Sequence, residues 1–89
     1  MTSRTTVRFR RSLAALPLTV RERARFAYHL FAQNPWHPAL QFKQVHPTEP
    51  VYSARVGLGY RALAVRDGEA VIWFWIGSHA DYDQLLARL

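Results

Sequence analysis

The side chains with chemistry to offer in this 89-residue chain are its arginines, its four histidines and a dense set of aromatic rings, and their spacing limits what they can do together. Along residues 51–56, Tyr52, Ala54 and Val56 point to one side of an extended chain, and Ser53 and Arg55 to the other. If the apolar set faces a core, Arg55 lies on the open face, and Lys43 reaches that face by the same alternation. At residues 60–66 the pattern is ambiguous, because Tyr60, Ala62 and Ala64 oppose Arg61, Leu63 and Val65, and either set can be core. Farther on, Ile72, Phe74 and Ile76 alternate with Trp73 and Trp75. Arginines beside aromatics on one sheet face suit RNA, since guanidinium groups hold phosphates and rings stack on unpaired bases. The competing reading is structural: Arg55 and Arg61 as solvated charges over apolar sheet, Trp73 and Trp75 as packing.

Three histidines carry little information. His29 falls within a helix, and His37 and His46 lie in proline-bounded loops. No pair has a metal-ligand spacing and the chain has no cysteine, so neither a metal nor another cofactor is expected. His79 has better company, in Gly77-Ser78-His79-Ala80-Asp81-Tyr82, where an imidazole near a phenol can exchange protons with a reacting phosphodiester. The same stretch reads equally well as a helix start capped by Ser78, with Asp81 three residues on. No phosphate-binding loop, dinucleotide fingerprint, nucleophile elbow or paired carboxylates in helical register occur, which excludes those enzyme classes.

These residues need elements to hold them. Phe9, Leu13 and Leu16 recur on one helical face from Val7 onward, and Pro17 stops that helix. Thr19 and Glu22 read as a capping box for a second helix, with Val20, Ala24, Ala27 and Phe31 as its buried stripe and Asn34-Pro35 as its end. After Pro38 the period drops to two. Strands are expected over residues 40–45, 51–56, 60–66 and 69–78, with glycine turns at residues 57–59 and an Asp67-Gly68 hairpin. Residues 80–89 form a short closing helix that docks through Leu85, Leu86 and Leu89, and residues 1–5 are expected to fray. Short links between consecutive strands require antiparallel neighbours. The predicted fold is therefore α+β: an N-terminal helical hairpin on one face of a four-stranded antiparallel sheet, a short C-terminal helix, and the other sheet face open.

Composition bounds the rest. Eighty-nine residues make a single domain spanning 1–89. The absence of cysteine fits a reducing cytoplasm. The longest apolar run, residues 70–77, is far short of the roughly 20 residues a membrane helix needs, so no membrane association is expected. The Arg- and Ser/Thr-rich start superficially resembles a targeting peptide, but Pro17 interrupts it and it runs straight into a patterned helix, so no cleaved leader is expected. Charge is lopsided: residues 1–45 carry a net +7 and residues 46–89 a net −1. A one-sided positive field attracts nucleic acid, an anionic surface or an acidic protein.

Three segments resemble the RelE/ParE superfamily of bacterial toxins: residues 34–43; Tyr52-Ser53-Ala54-Arg55-Val56-Gly57-Leu58-Gly59-Tyr60-Arg61, similar to the family's Arg-Val-Gly-x-Tyr-Arg hairpin with one extra turn residue; and residues 72–82. The resemblance spans roughly residues 8–86 in the element order given above. It implies the toxin of a type II toxin–antitoxin pair, with a cognate antitoxin that wraps and silences it. In the RelE-like branch it implies cleavage of mRNA on the ribosome, a metal-independent endoribonuclease reaction that inhibits translation. By the same resemblance Arg61, His79 and Tyr82 are the catalytic candidates: Arg61 stabilises the phosphate, His79 is a general acid or base, and Tyr82 a second proton-transfer or stacking group. Arg55 and Lys43 would grip the RNA backbone. ParE-like relatives implied by the same resemblance act instead on DNA gyrase without nuclease chemistry, and a third reading is an inactive RNA-binding or interaction module of the same fold. The chain departs from the family pattern where Ala80 follows His79, where Ser53 stands two before Arg55, and in lacking a readable N-terminal strand.

Overall fold

Four polar residues at the start of the chain form a strand rather than a frayed end. In the computed structural model, which describes residues 1–88, β1 (Thr2–Thr5) runs parallel to the last strand of the sheet, with Thr2 opposite Ala70 and Thr5 opposite Trp73. Ser3 Oγ accepts a 2.9 Å hydrogen bond from the Trp73 indole, and the Thr6 amide bonds to the Trp73 carbonyl. A strand with no apolar alternation is invisible to periodicity. Backbone pairing to a strong neighbour makes it.

Thr6 then caps α1 (Val7–Ala14), its hydroxyl accepting from the Phe9 amide. The second helix, α2 (Leu18–Gln33), starts earlier than expected and the capping box of Thr19 and Glu22 does not form. Pro17 sits at the cap with φ −54°, already set for helical entry, and its carbonyl receives the Val20 and Arg21 amides, leaving Thr19 inside the helix. Both helices lie on one face of the sheet, where Phe9 and Phe31 join the core. Between them runs a groove of about 520 Å³, floored by Phe9, Leu13 and Ala24 and rimmed by Arg10, Arg21 and Arg25.

The strand expected over residues 40–45 is shorter than its alternation suggested. A 3₁₀ turn (Pro38–Leu40) and a left-handed Gln41, φ +47°, interrupt it, and only β2 (Lys43–Gln44) pairs. Leu40 and Phe42 are nevertheless buried. His37 and His46 cap turns: His37 Nδ1 accepts from the Ala39 amide, and His46 Nδ1 from those of Thr48 and Glu49.

β3 (Val51–Val56), β4 (Tyr60–Asp67) and β5 (Ala70–Ser78) complete a sheet in the order β1-β5-β4-β3-β2. It is five-stranded and mixed, not four-stranded and antiparallel. The β1–β5 pair is parallel, which the long intervening chain of two helices and three strands allows. The last hairpin closes with Asp67 opposite Ala70, so Gly68 and Glu69 are its central residues and Gly68 alone supplies the positive φ.

On the helical face Tyr52, Ala54 and Val56 meet Tyr60, Ala62 and Ala64, which resolves the ambiguity of β4 in favour of the even-numbered set. In β5 strict alternation fails. Leu63 pairs with Trp75 and Ala64 with Trp73, leaving Phe74 as the extra residue of a bulge. Val71, Trp73 and Ile76 therefore share the helical core, and Trp75 turns to the opposite face. Phe31 packs edge-on against both Phe42 and Trp73, with ring centroids 5.1 and 5.3 Å apart.

The second sheet face is not fully open. α3 (His79–Arg88), capped by the Ser78 hydroxyl on the Asp81 amide, lies across it and buries Tyr82 over Ser53 and Arg61. Leu85 and Leu86 are half-buried there; Leu89, expected on the same docking side, lies outside the described residues.

Candidate functional site

Directly opposed residues of an antiparallel pair point to the same face. Lys43 is opposite Ser53, Arg55 opposite Arg61, and Arg61 opposite Gly77, so Lys43, Arg55 and Arg61 all face α3. Of these, Arg61 is 5 % exposed. Parity leaves the side of Arg61 undecided; it lies on the α3 face but is buried there, not a solvated charge over the sheet. Its Nη2 donates to Ser53 Oγ at 2.7 Å and its Nη1 to Gln41 Oε1 at 3.0 Å. The guanidinium carbon stands 5.2 Å over the Tyr82 ring. The buried Nε has no partner.

A buried cation usually has a carboxylate beside it, because removing the charge from water is costly. Arg61 has none. Among the described residues the only ion pairs join the N-terminus to Glu69 and His79 to Asp83. Two neutral oxygens and an aromatic face hold the Arg61 charge without cancelling it.

Arg61 forms part of the wall of a polar cleft of about 240 Å³, together with Gln41, Arg55, Leu58, Tyr60 and His79. Arg55 is half-buried, its Nε tied to the Gly57 carbonyl at 3.0 Å, which aims the side chain along the β3–β4 turn. The backbone of His79 is anchored to that turn too, through its amide and the Gly59 carbonyl at 2.8 Å. Its exposed ring holds Nδ1 3.2 Å from an Asp83 carboxylate oxygen and packs edge-on against Tyr82 at 5.7 Å. A carboxylate on one ring nitrogen orients an imidazole and leaves the other free for chemistry.

Three of the five residues singled out from the sequence, Arg55, Arg61 and His79, thus meet in one cleft. Tyr82 lies behind it, buried, with its hydroxyl donating to Ser53 Oγ at 3.2 Å. Lys43 stands exposed on the neighbouring strand and does not line the cleft.

Residues 18–84 match the model of the ParE-like toxin domain. The chain belongs to this family. That family match makes it a RelE/ParE-superfamily toxin domain, and its fold is shared with solved RelE structures. A chain of the RelB–RelE antitoxin–toxin complex from Methanococcus jannaschii superposes with a TM-score of 0.72 at 17 % identity, covering 91 % of this chain and 95 % of that one. The RelBE2 toxin–antitoxin complex of Mycobacterium tuberculosis gives 0.64 at 26 % identity, covering 88 % and 96 %. The isolated RelE toxin of E. coli gives 0.63 at 19 % identity, covering 98 % and 96 %. No curated protein matches the sequence.

For a ParE-like toxin domain, the residues that sequence reasoning missed are Gln41 and Ser53. Ser53 falls on the polar side of its strand as parity predicts, whereas Gln41, expected on the polar side of a strand, lies in a turn and in no strand. Their contacts with Arg61 were not legible, since Gln41 reaches it from 20 residues away by a left-handed backbone turn. No helix of the described residues is long and apolar enough to cross a membrane.

Proposed function

We propose that this chain is the toxin of a type II toxin–antitoxin pair, acting in the cytoplasm as a metal-independent endoribonuclease on ribosome-bound mRNA. One observation carries the reading: the uncompensated guanidinium of Arg61, beside Arg55 and His79 in a polar cleft. Such a cleft favours a group whose negative charge grows during reaction.

In the reaction, a ribose 2′-oxygen attacks the adjacent phosphorus and the bond to the 5′-oxygen breaks, leaving a cyclic phosphate and a 5′-hydroxyl. Arg61 and Arg55 stabilise the charge that accumulates on the non-bridging oxygens. His79, the exposed proton-transfer group, takes the 2′ proton or delivers one to the leaving oxygen, and solvent water completes the other transfer. Tyr82 supports Arg61 from beneath. Lys43, one strand away on the same face, grips the RNA backbone beyond the cleft.

An antitoxin segment would cover the opposite side of the turn. Phe26 and Leu58, 70 % and 78 % exposed, flank a groove of about 610 Å³ between α2 and the β3–β4 turn, with Arg23 and Arg55 at its rim. Apolar side chains that exposed suit a partner with apolar anchors, and two arginines against Glu22 alone favour acidic flanks on it.

The test is induction of the chain in a bacterial host, following protein synthesis and DNA-damage signalling with and without Arg61→Ala. Prompt loss of translation, relieved by the substitution, supports the nuclease; the cleavage rate should fall roughly 10²–10³-fold. DNA-damage signalling with continuing translation overturns it in favour of gyrase as the target.

A further inference from the structure

Gln41 is the one non-glycine residue with positive φ among those described. A left-handed conformation is unfavourable for a residue with a Cβ and persists only where the surroundings enforce it. Here it ends the 3₁₀ turn, whose carbonyl at Pro38 receives the Gln41 amide, and it sends the side chain to Arg61. A guanidinium only donates hydrogen bonds, so the Gln41 amide must present its oxygen to Arg61. Its NH2 then remains as a second donor in the cleft wall. Ser53, fully buried, meets the other guanidinium nitrogen in the same way and holds Tyr82 as well.

The geometry points to Gln41 and Ser53 as positioning residues that fix Arg61 through neutral oxygens and so reserve its charge for a phosphate-type anion. This rests on the reading of the cleft as an anion site and adds what makes that site selective for negative charge. A carboxylate in either position would satisfy the same donors and hold Arg61 as firmly, by a charge-assisted bond, while cancelling the field that an anion needs. The groups facing Arg61 bear this out from every side. Arg55 is opposite on β3, Gly77 opposite on β5, Tyr82 packs on it from α3, and Gln41 reaches it from the 3₁₀ turn. None is acidic.

Gln41→Glu changes the charge and keeps the shape, at an exposed residue where folding is not at risk. Gln41→Met removes the tether without adding charge. Inorganic phosphate is titrated into the folded chain and each variant at constant ionic strength, and the Nε–H resonance of Arg61 is followed by NMR. Wild type should show a saturable shift. Gln41→Glu should bind phosphate on the order of tenfold more weakly with an unchanged or higher melting temperature, and Gln41→Met should lose no more than about threefold. Equal binding by wild type and Gln41→Glu overturns the role of the neutral clamp and leaves the anion site intact. Equal weakening by the Glu and Met variants also overturns it, since tethering alone would then account for Gln41. A wild-type chain whose Arg61 resonance ignores phosphate overturns both the clamp and the anion site.

Discussion

Tyr82 and Arg61 are stacked, with the guanidinium carbon 5.2 Å from the ring centroid, and both reach the same Ser53 oxygen. The ring offers its negative face to a cation that no carboxylate neutralises. This contact joins α3 to β4 and makes the C-terminal helix part of the site rather than an appendage. It also separates two roles that a C-terminal tyrosine can have, as a proton donor to substrate or as a support for the arginine.

Tyr82→Phe tests that separation. The phenyl ring keeps the cation–π contact and loses only the hydrogen bond to Ser53, so stability should drop by about 1 kcal/mol in urea unfolding. Growth inhibition on induction should persist. A Phe variant that folds normally but is harmless would assign Tyr82 to proton transfer.

Arg61 itself should be a stability liability. Replacing a buried charge with an apolar side chain of similar reach is often neutral or stabilising, by about 1–4 kcal/mol. Arg61→Met is therefore expected to melt no lower than wild type while abolishing translation inhibition. If it unfolds the domain, the two neutral hydrogen bonds matter more to the fold than the unpaired charge costs it.

The sequence showed which residues share a face better than how deep each one lies. The assignment of Ser53, Arg55 and Lys43 to one face follows from strand parity, and it survives in the structure. Parity fails at Phe74, where the bulge turns Trp75 away from Trp73, because an extra residue leaves no mark in an apolar run. The Ser78 cap and the closing helix were legible, yet nothing local told which face that helix would cover, and so the burial of Arg61 beneath it was not. β1 was missed for the opposite reason: its four residues carry no hydrophobic pattern, and the neighbouring β5 supplies their order.

The exposed Phe26 and Leu58 make a prediction about partnership. Changing either to Asp alters no buried contact, so stability should stay within about 0.5 kcal/mol. Rescue of growth by the co-expressed cognate antitoxin should fail or weaken for Phe26→Asp, which lies outside the polar cleft and keeps its uninhibited toxicity; Leu58 also lines that cleft, so Leu58→Asp is read by antitoxin binding alone, which should weaken. Full rescue of Phe26→Asp with unchanged antitoxin binding by Leu58→Asp would move the antitoxin contact elsewhere, with the basic groove between α1 and α2 the next surface to examine.

Gly77 stands opposite Arg61 with the Trp75 ring folded over it: a Cβ added there would lie 2.7 Å from two atoms of the indole. Its backbone does not need glycine, since its φ is not in the left-handed region, so the constraint is the space taken by Trp75. A rigid ring cannot yield as a flexible chain end does. Gly77→Ala should therefore cost about 1–3 kcal/mol through displacement of Trp75, which its fluorescence can report. Gly59→Ala is the matched comparison, because nothing lies within 4 Å of a Cβ there, and it should be neutral or slightly stabilising by restricting the unfolded chain. If the two alanine variants unfold at the same urea concentration, Trp75 accommodates the methyl group freely and the close contact has no energetic consequence.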